Sequence, residues 1–277
     1  YAHHLDLHSF RTRRSSDLGQ TVLLLHGFGV NKDTWIQFAK HLTGDYHVVI
    51  PDIPGFGESS QIQNESYAAE NQLTRIDRFM AALKIGRFHV AGNSMGGMLA
   101  GMYSAKYPQK VLTVGLLAPG GVSSPNPSEV LILLRRGINP LLTNNTEDFD
   151  RFIKLCFTKP PFIPSQFKKV LVADAIAHRK FNKKIWNEMV GNVTKETSAS
   201  KENLLEPYLP KIEAPVLIIW GDADKILDVG GVSILEQNLK NHKTVIMQDT
   251  GHAPMLEKSN ETASYYVNYL KGKGGPP

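Results

Sequence analysis

The pentapeptide Gly92-Asn93-Ser94-Met95-Gly96 sits between an apolar strand ending in Phe88-His89-Val90-Ala91 and a small-residue helix from Met95 to Tyr107, with Pro108 after it. A serine at such a sharp strand-to-helix turn is held in a strained backbone geometry, with its hydroxyl projecting clear of both elements. Glycines flank it because side chains there would collide with the adjoining strand and helix. In this setting Ser94 is a candidate nucleophile.

The rest of the chain alternates in the same way from Thr21 onward. Apolar strands are expected at Thr21 to Leu25, Tyr46 to Ile50, Val111 to Leu117, Val216 to Trp220 and Lys243 to Met247. Helices are expected at Lys32 to Leu42, Ser66 to Leu83, Gly231 to Lys240 and Ser259 to Leu270. This rhythm predicts an α/β fold with a mostly parallel central sheet covered by helices on both faces. The rhythm breaks between Val122 and Leu209, where Leu131-Ile132-Leu133-Leu134 and Phe149, Phe152 and Ile153 fall at helical spacing. An insertion of that length between two strands reads as a helical lid, most of its apolar surface being its own core and a minority lining a pocket.

A chain of 277 residues fits one α/β domain. The expected organisation is a core over 19–121 and 210–271, a lid over 122–209 and a flexible tail over 272–277. Residues 1–18 read as a non-native arm, since Thr12-Arg13-Arg14-Ser15-Ser16-Asp17-Leu18 resembles a translated sequencing-library adapter. No apolar run approaches the ~20 residues of a membrane span and no secretory h-region opens the chain, so a cytoplasmic or membrane-associated protein is expected. The net charge is +5, with basic and acidic residues interspersed, which argues against a nucleic-acid partner. Cys156, the single cysteine, is expected to be a buried structural thiol.

A serine hydroxyl needs a base, and the base needs an orienting acid. Among ten histidines, His252 follows the last expected strand and a glycine, where the order Ser, Asp, His places the base. The acid belongs in the loop Gly221-Asp222-Ala223-Asp224-Lys225-Ile226-Leu227-Asp228. There Asp222 is expected to shape the turn and Asp228 to cap the next helix, leaving Asp224 as the best candidate for the acid. The oxyanion-hole donors are the backbone N–H groups of Met95 and of Phe28 in His26-Gly27-Phe28-Gly29. No metal or cofactor is called for by this chemistry.

These stretches, with Asp52-Ile-Pro-Gly-Phe-Gly57, make the chain resemble the α/β-hydrolase family from Thr21 to Leu270. The resemblance implies an eight-stranded core, of which two early strands are missing, and it makes Asp224 the acid. Within the family the chain looks most like monoacylglycerol lipases and related bacterial lipases, through Leu23 to Trp35, Asn93 to Gly101 and Ile226 to Val229. It thereby implies a serine hydrolase of carboxylic esters working through an acyl-enzyme, with a small acyl ester as substrate and lipid-surface contact through the lid. Serine at the elbow argues against dehalogenases and epoxide hydrolases of this fold. Two alternatives stay open: a C–C hydrolase of ring-fission products, against which Ala253 after His252 speaks, and a ligand-binding receptor or pseudoenzyme.

Overall fold

A computed structural model describes residues 19–191 and 205–272. The arm expected at 1–18, part of the expected lid (192–204) and all but one residue of the tail lie outside the described residues. Six strands form one sheet: β1 (Thr21–Leu25), β2 (His47–Val49), β3 (Phe88–Ser94), β4 (Val111–Pro119), β5 (Val216–Gly221) and β6 (His242–Met247). Their spatial order is β2-β1-β3-β4-β5-β6, and all five adjacent pairs are parallel. The described residues therefore carry six strands rather than the eight of the family core.

Inner strands β1 and β5 are buried along their whole length, as a parallel sheet covered on both faces requires. The edge strand β6 is only partly buried, with Ile246 left exposed. The covering helices are α1 (Ile36–Ala39), α2 (Ala69–Ala82), α3 (Met95–Lys106), α7 (Gly231–Asn238), α8 (Pro254–Glu257) and α9 (Ser259–Leu270). Between β4 and β5 run α4 (Glu129–Arg135), α5 (Thr146–Cys156) and α6 (Ser165–Met189). One core, built around Leu73, Leu99, Tyr103 and Leu235, packs α2, α3 and α7 on one face of the sheet. A second, with Trp35, Phe38, Met255 and Tyr266, packs α1, α8 and α9 on the other.

Local differences from the expected elements have local causes. The helix expected over Lys32 to Leu42 is a 3₁₀ turn, Lys32–Trp35, followed by the short α1; Asn31 caps the turn by accepting the Asp33 N–H at 3.0 Å. The helix expected from Ser66 begins at Ala69; the Ser66 hydroxyl and the Tyr67 N–H before it are bound by Glu188 of α6. In the inserted segment, Asn145 caps α5 through the Asp148 N–H at 2.8 Å, and Glu147 and Asp148 complement the positive end of that helix.

The strand order places the site. From β1 the chain goes first to β2 on one side and then to β3 on the other, so a crevice opens beyond the carboxyl ends of β1 and β3. The loop after β1 (Gly27, Phe28) and the end of β3 (Ser94) meet there, while the loops after β5 and β6 arrive from the same edge of the sheet.

Candidate active site

Ser94 is the last residue of β3 and precedes α3, with φ 56° and ψ −119°. This left-handed backbone is costly for a residue with a side chain and persists only where the surroundings impose it. The surroundings here are backbone atoms. A Cβ on Gly92 would lie 2.1 Å from the Gly96 carbonyl oxygen, and one on Gly96 would lie 2.1 Å from that of Leu25. Glycine at both positions thus lets β3, α3 and β1 approach until Ser94 stands alone at the turn. Its side chain is half-buried and makes no hydrogen bond within the described residues.

His252 follows β6 in a turn where Asp249 also has positive φ, 45°. Its Nδ1 lies 2.8 Å from Asp224 Oδ2, and both residues are buried. Nδ1–H donates to the carboxylate, which leaves Nε2 unprotonated in the neutral ring. Asp224 Oδ2 also accepts the Trp220 indole N–H at 3.1 Å, and Oδ1 accepts the backbone N–H groups of Ile226 and Leu227 at 2.8 and 3.0 Å. Four donors fix the carboxylate, so it in turn fixes the imidazole. Of the other loop aspartates, Asp222 accepts the Thr250 N–H at 3.3 Å. The Asp228 side chain accepts the Gly230 N–H at 3.0 Å and the Ser124 hydroxyl, and its carbonyl accepts the N–H of Gly231, the first residue of α7, at 3.1 Å.

Ser94 and His252 share no direct hydrogen bond. They are joined through Asn93, whose side-chain amide donates to the carbonyls of His252 and Leu117, both at 3.0 Å. A loose nucleophile–base distance is common before substrate is bound. The signal for Asn93 was its place inside the elbow, but a residue pointing away from the serine has no chemical signature of its own.

The Met95 N–H is the first of α3 and has no partner one turn earlier in the helix. The Phe28 N–H has no acceptor among the described residues. Their loops touch: a Cβ on Gly27 would lie 3.4 Å from that of Ser94. The Phe28 ring packs edge-on against Phe56 (5.5 Å) and against Trp186 of α6 (5.4 Å). Beyond it opens a cavity of about 240 Å³, apolar on the side of Phe28, Phe56, Leu141, Phe149, Phe152 and Leu171, and polar and charged where Asn31, Asp174, His178, Arg179 and Asn182 line it.

His26 pins this loop. It is fully buried; Nδ1–H donates to the Gly27 carbonyl at 2.8 Å and Nε2 accepts the Ile53 N–H at 2.9 Å. Burial lowers its pKa from 6.5 to about 4. Burial does the same to His89, held between Thr113 and Gln20, again to about 4. Between pH 6.5 and 4 the unfolded chain therefore binds protons that the folded chain refuses, and stability falls as pH falls through that window. Unfolding free energy from urea titrations should decline from pH 7 to 4.5, less steeply in His89→Asn; a flat profile would refute this assignment.

Cys156 is buried at the end of α5, and burial, with the charges of Asp224 and Glu257, pushes its thiol well above its ordinary range. Its backbone carbonyl accepts the His252 N–H at 2.8 Å, a contact with no sequence signal. On the inserted segment, Phe162, Phe167 and Val170 stand 91%, 67% and 66% exposed, with exposed Lys159 and Lys169 near them in sequence. No helix of the described residues is long and apolar enough to cross a membrane.

Residues 20–259 match the family model of the alpha/beta hydrolase fold. Lipase 1 of Psychrobacter immobilis is 34% identical over 249 residues, covering 90% of this chain and 76% of the lipase. Monoacylglycerol lipase ABHD6 of Mus musculus is 32% identical over 282 residues, covering 98% and 81%. Among solved structures, a membrane phospholipase A superposes with a TM-score of 0.87 at 41% identity, covering 95% of this chain and 81% of that one. A meta-cleavage product hydrolase from Pseudomonas fluorescens IP01, at 19% identity and a TM-score of 0.78 over 93% of this chain and 92% of its own, shares the fold alone. A six-stranded parallel sheet with this order, and a family match over most of its length, make the chain a member of the α/β-hydrolase family.

Proposed function

We propose that this protein is a serine hydrolase of carboxylic esters that acts on a monoacylglycerol or another medium-chain acyl ester. The observation that carries the reading is the buried Asp224–His252 pair, linked through Asn93 to a strained, unpartnered Ser94. The lipase and monoacylglycerol lipase relatives support the same chemistry.

In this reading Ser94 Oγ attacks the ester carbonyl while His252 Nε2 takes its proton and then delivers it to the leaving alcohol. Asp224 holds the imidazole in the tautomer that can do so and stabilises the cation that forms. The N–H groups of Phe28 and Met95 bind the oxyanion, an arrangement in which each donor is worth ~10²–10³ in rate. Water then repeats the cycle in reverse and frees the acid.

The cavity beyond Phe28 is smaller than the ~300–1,000 Å³ of drug-sized pockets, and its apolar side, from Phe28 and Phe56 to Phe149 and Phe152, suits one acyl chain. The segment between β4 and β5 acts as the lid, and its exposed Phe162, Phe167 and Val170 dip into a lipid surface.

A chain-length series of p-nitrophenyl esters, with a ring-fission dienoate beside it, tests the reaction. Turnover should peak at medium chains; cleavage of the dienoate alone would transfer the protein to the C–C hydrolases. In the same preparation, sedimentation with anionic phosphatidylglycerol vesicles should fall when Phe162 and Phe167 are both changed to Ser. Equal sedimentation would remove the lipid contact while leaving the chemistry standing.

A further inference from the structure

We propose that Glu257 is a positioning residue that ties the lid to His252, so that the lid's stalk helps set the imidazole in place; this rests on the ester-hydrolase reading above. Glu257 ends α8, five residues after His252, and is half-buried. One oxygen, Oε2, accepts the Gly251 N–H at 2.7 Å, immediately before His252. The other, Oε1, accepts the N–H groups of Thr158 and Lys159 at 2.9 and 3.0 Å, together with the Thr158 hydroxyl. Residues 157–159 leave the end of α5, so one carboxylate bridges the stalk of the inserted segment and the histidine turn.

That turn is held from three directions. The His252 N–H donates to Cys156 O, its carbonyl accepts from Asn93, and the preceding N–H is taken by Glu257. Two of the three holds involve the stalk: Cys156 belongs to it, and Glu257 is anchored on it. Contact there is close, since a Cβ on Gly251 would lie 2.4 Å from Cys156 O. The positive φ of Asp249 in the same turn is the kind of strained backbone that holds only while its neighbours over-determine it. The Asp249 carbonyl lies 3.2 Å from the Thr158 hydroxyl, an alternative acceptor for the single proton that otherwise goes to Glu257. Releasing one hold thus lets the turn relax and the imidazole drift, and a drift of ~1 Å costs ~10²-fold in rate.

Glutamine separates the two halves of the bridge. Three donors face Oε1 and only one faces Oε2, so in Glu257→Gln the amide oxygen turns to the stalk. The new NH₂ then opposes the Gly251 N–H, donor against donor, and only the histidine side is lost.

The test is the pre-steady-state reaction of Ser94 with a p-nitrophenyl phosphonate, which reads the fraction of reactive sites from burst amplitude and the activation of each site from the rate constant. Glu257→Gln should keep the full amplitude while its rate constant falls ~10–100-fold, and KM for p-nitrophenyl butyrate should stay within about twofold. A rate constant equal to that of the parent protein, at full or reduced amplitude, would overturn the proposal, a reduced amplitude assigning Glu257 to scaffolding alone. If Glu257→Gln does not fold, Thr158→Val decides instead: it removes the hydroxyl donor at nearly constant shape, and a slower rate at full amplitude is expected. An unchanged rate there would count against the coupling. No burst in the parent protein itself would instead dispose of the ester-hydrolase reading, before any variant is compared.

Discussion

Ser94→Ala is expected to lower turnover of a short p-nitrophenyl ester by ~10⁶-fold, the scale for loss of a triad nucleophile. Stability should hardly change. The Ser94 hydroxyl makes no hydrogen bond among the described residues, so its removal leaves no partner unsatisfied. The left-handed φ of 56° is held by backbone packing at Gly92 and Gly96, and alanine meets it with the same Cβ that serine has. The prediction therefore separates chemistry from folding: urea midpoints should coincide while hydrolysis is lost. Turnover within tenfold of the parent would assign the nucleophile elsewhere, and a lowered midpoint would show that the hydroxyl supports the turn.

The part of this site that is legible in the sequence is the part with a residue-type signature. The elbow is written in glycines because backbone atoms pass within 2.1 Å of where a Cβ would stand. The strands are legible because a sheet buried on both faces needs continuous apolar runs, as in Thr21–Leu25 and Val216–Gly221. Position in the loop makes Asp224 the best candidate over Asp222 and Asp228, but fixing it as the acid took the family resemblance, since three carboxylates in eight residues look alike until a fold aims them. Helix boundaries were less legible. Ser66 reads as a helix start, yet its neighbourhood is taken by Glu188, more than a hundred residues away in sequence. For the same reason Asn93, Glu257 and the Cys156 carbonyl escape sequence reading. Each acts by holding the His252 turn from an element remote in the chain, and a main-chain acceptor carries no side-chain identity at all.

Asp224→Asn should cost ~10⁴-fold in kcat, the scale for reversing a catalytic histidine's tautomer, while leaving the protein folded. The asymmetry of the donors around Asp224 makes the outcome directional. Oδ1 faces two backbone N–H groups, of Ile226 and Leu227, that cannot turn away. In Asp224→Asn the remaining side-chain oxygen must stay with them, which directs the new NH₂ at His252 Nδ1 and at the Trp220 indole. The indole retains a second acceptor, the Leu227 carbonyl at 3.2 Å, so it is not left wholly unpaired. An imidazole facing an amide donor satisfies it only by presenting a lone pair at Nδ1, which moves its proton to Nε2. Nε2 then has no lone pair with which to take the Ser94 proton, although all three triad positions are still in place. Substrate affinity should be kept, because neither the cavity beyond Phe28 nor the N–H donors of Phe28 and Met95 depend on that proton. The comparison to make is kcat against KM at pH 7, with the hydrolysis rate rising toward high pH as hydroxide substitutes for the missing base. A loss of less than tenfold in kcat, or an equal loss in Asp228→Asn, would show that Asp224 is not the residue that sets the state of His252.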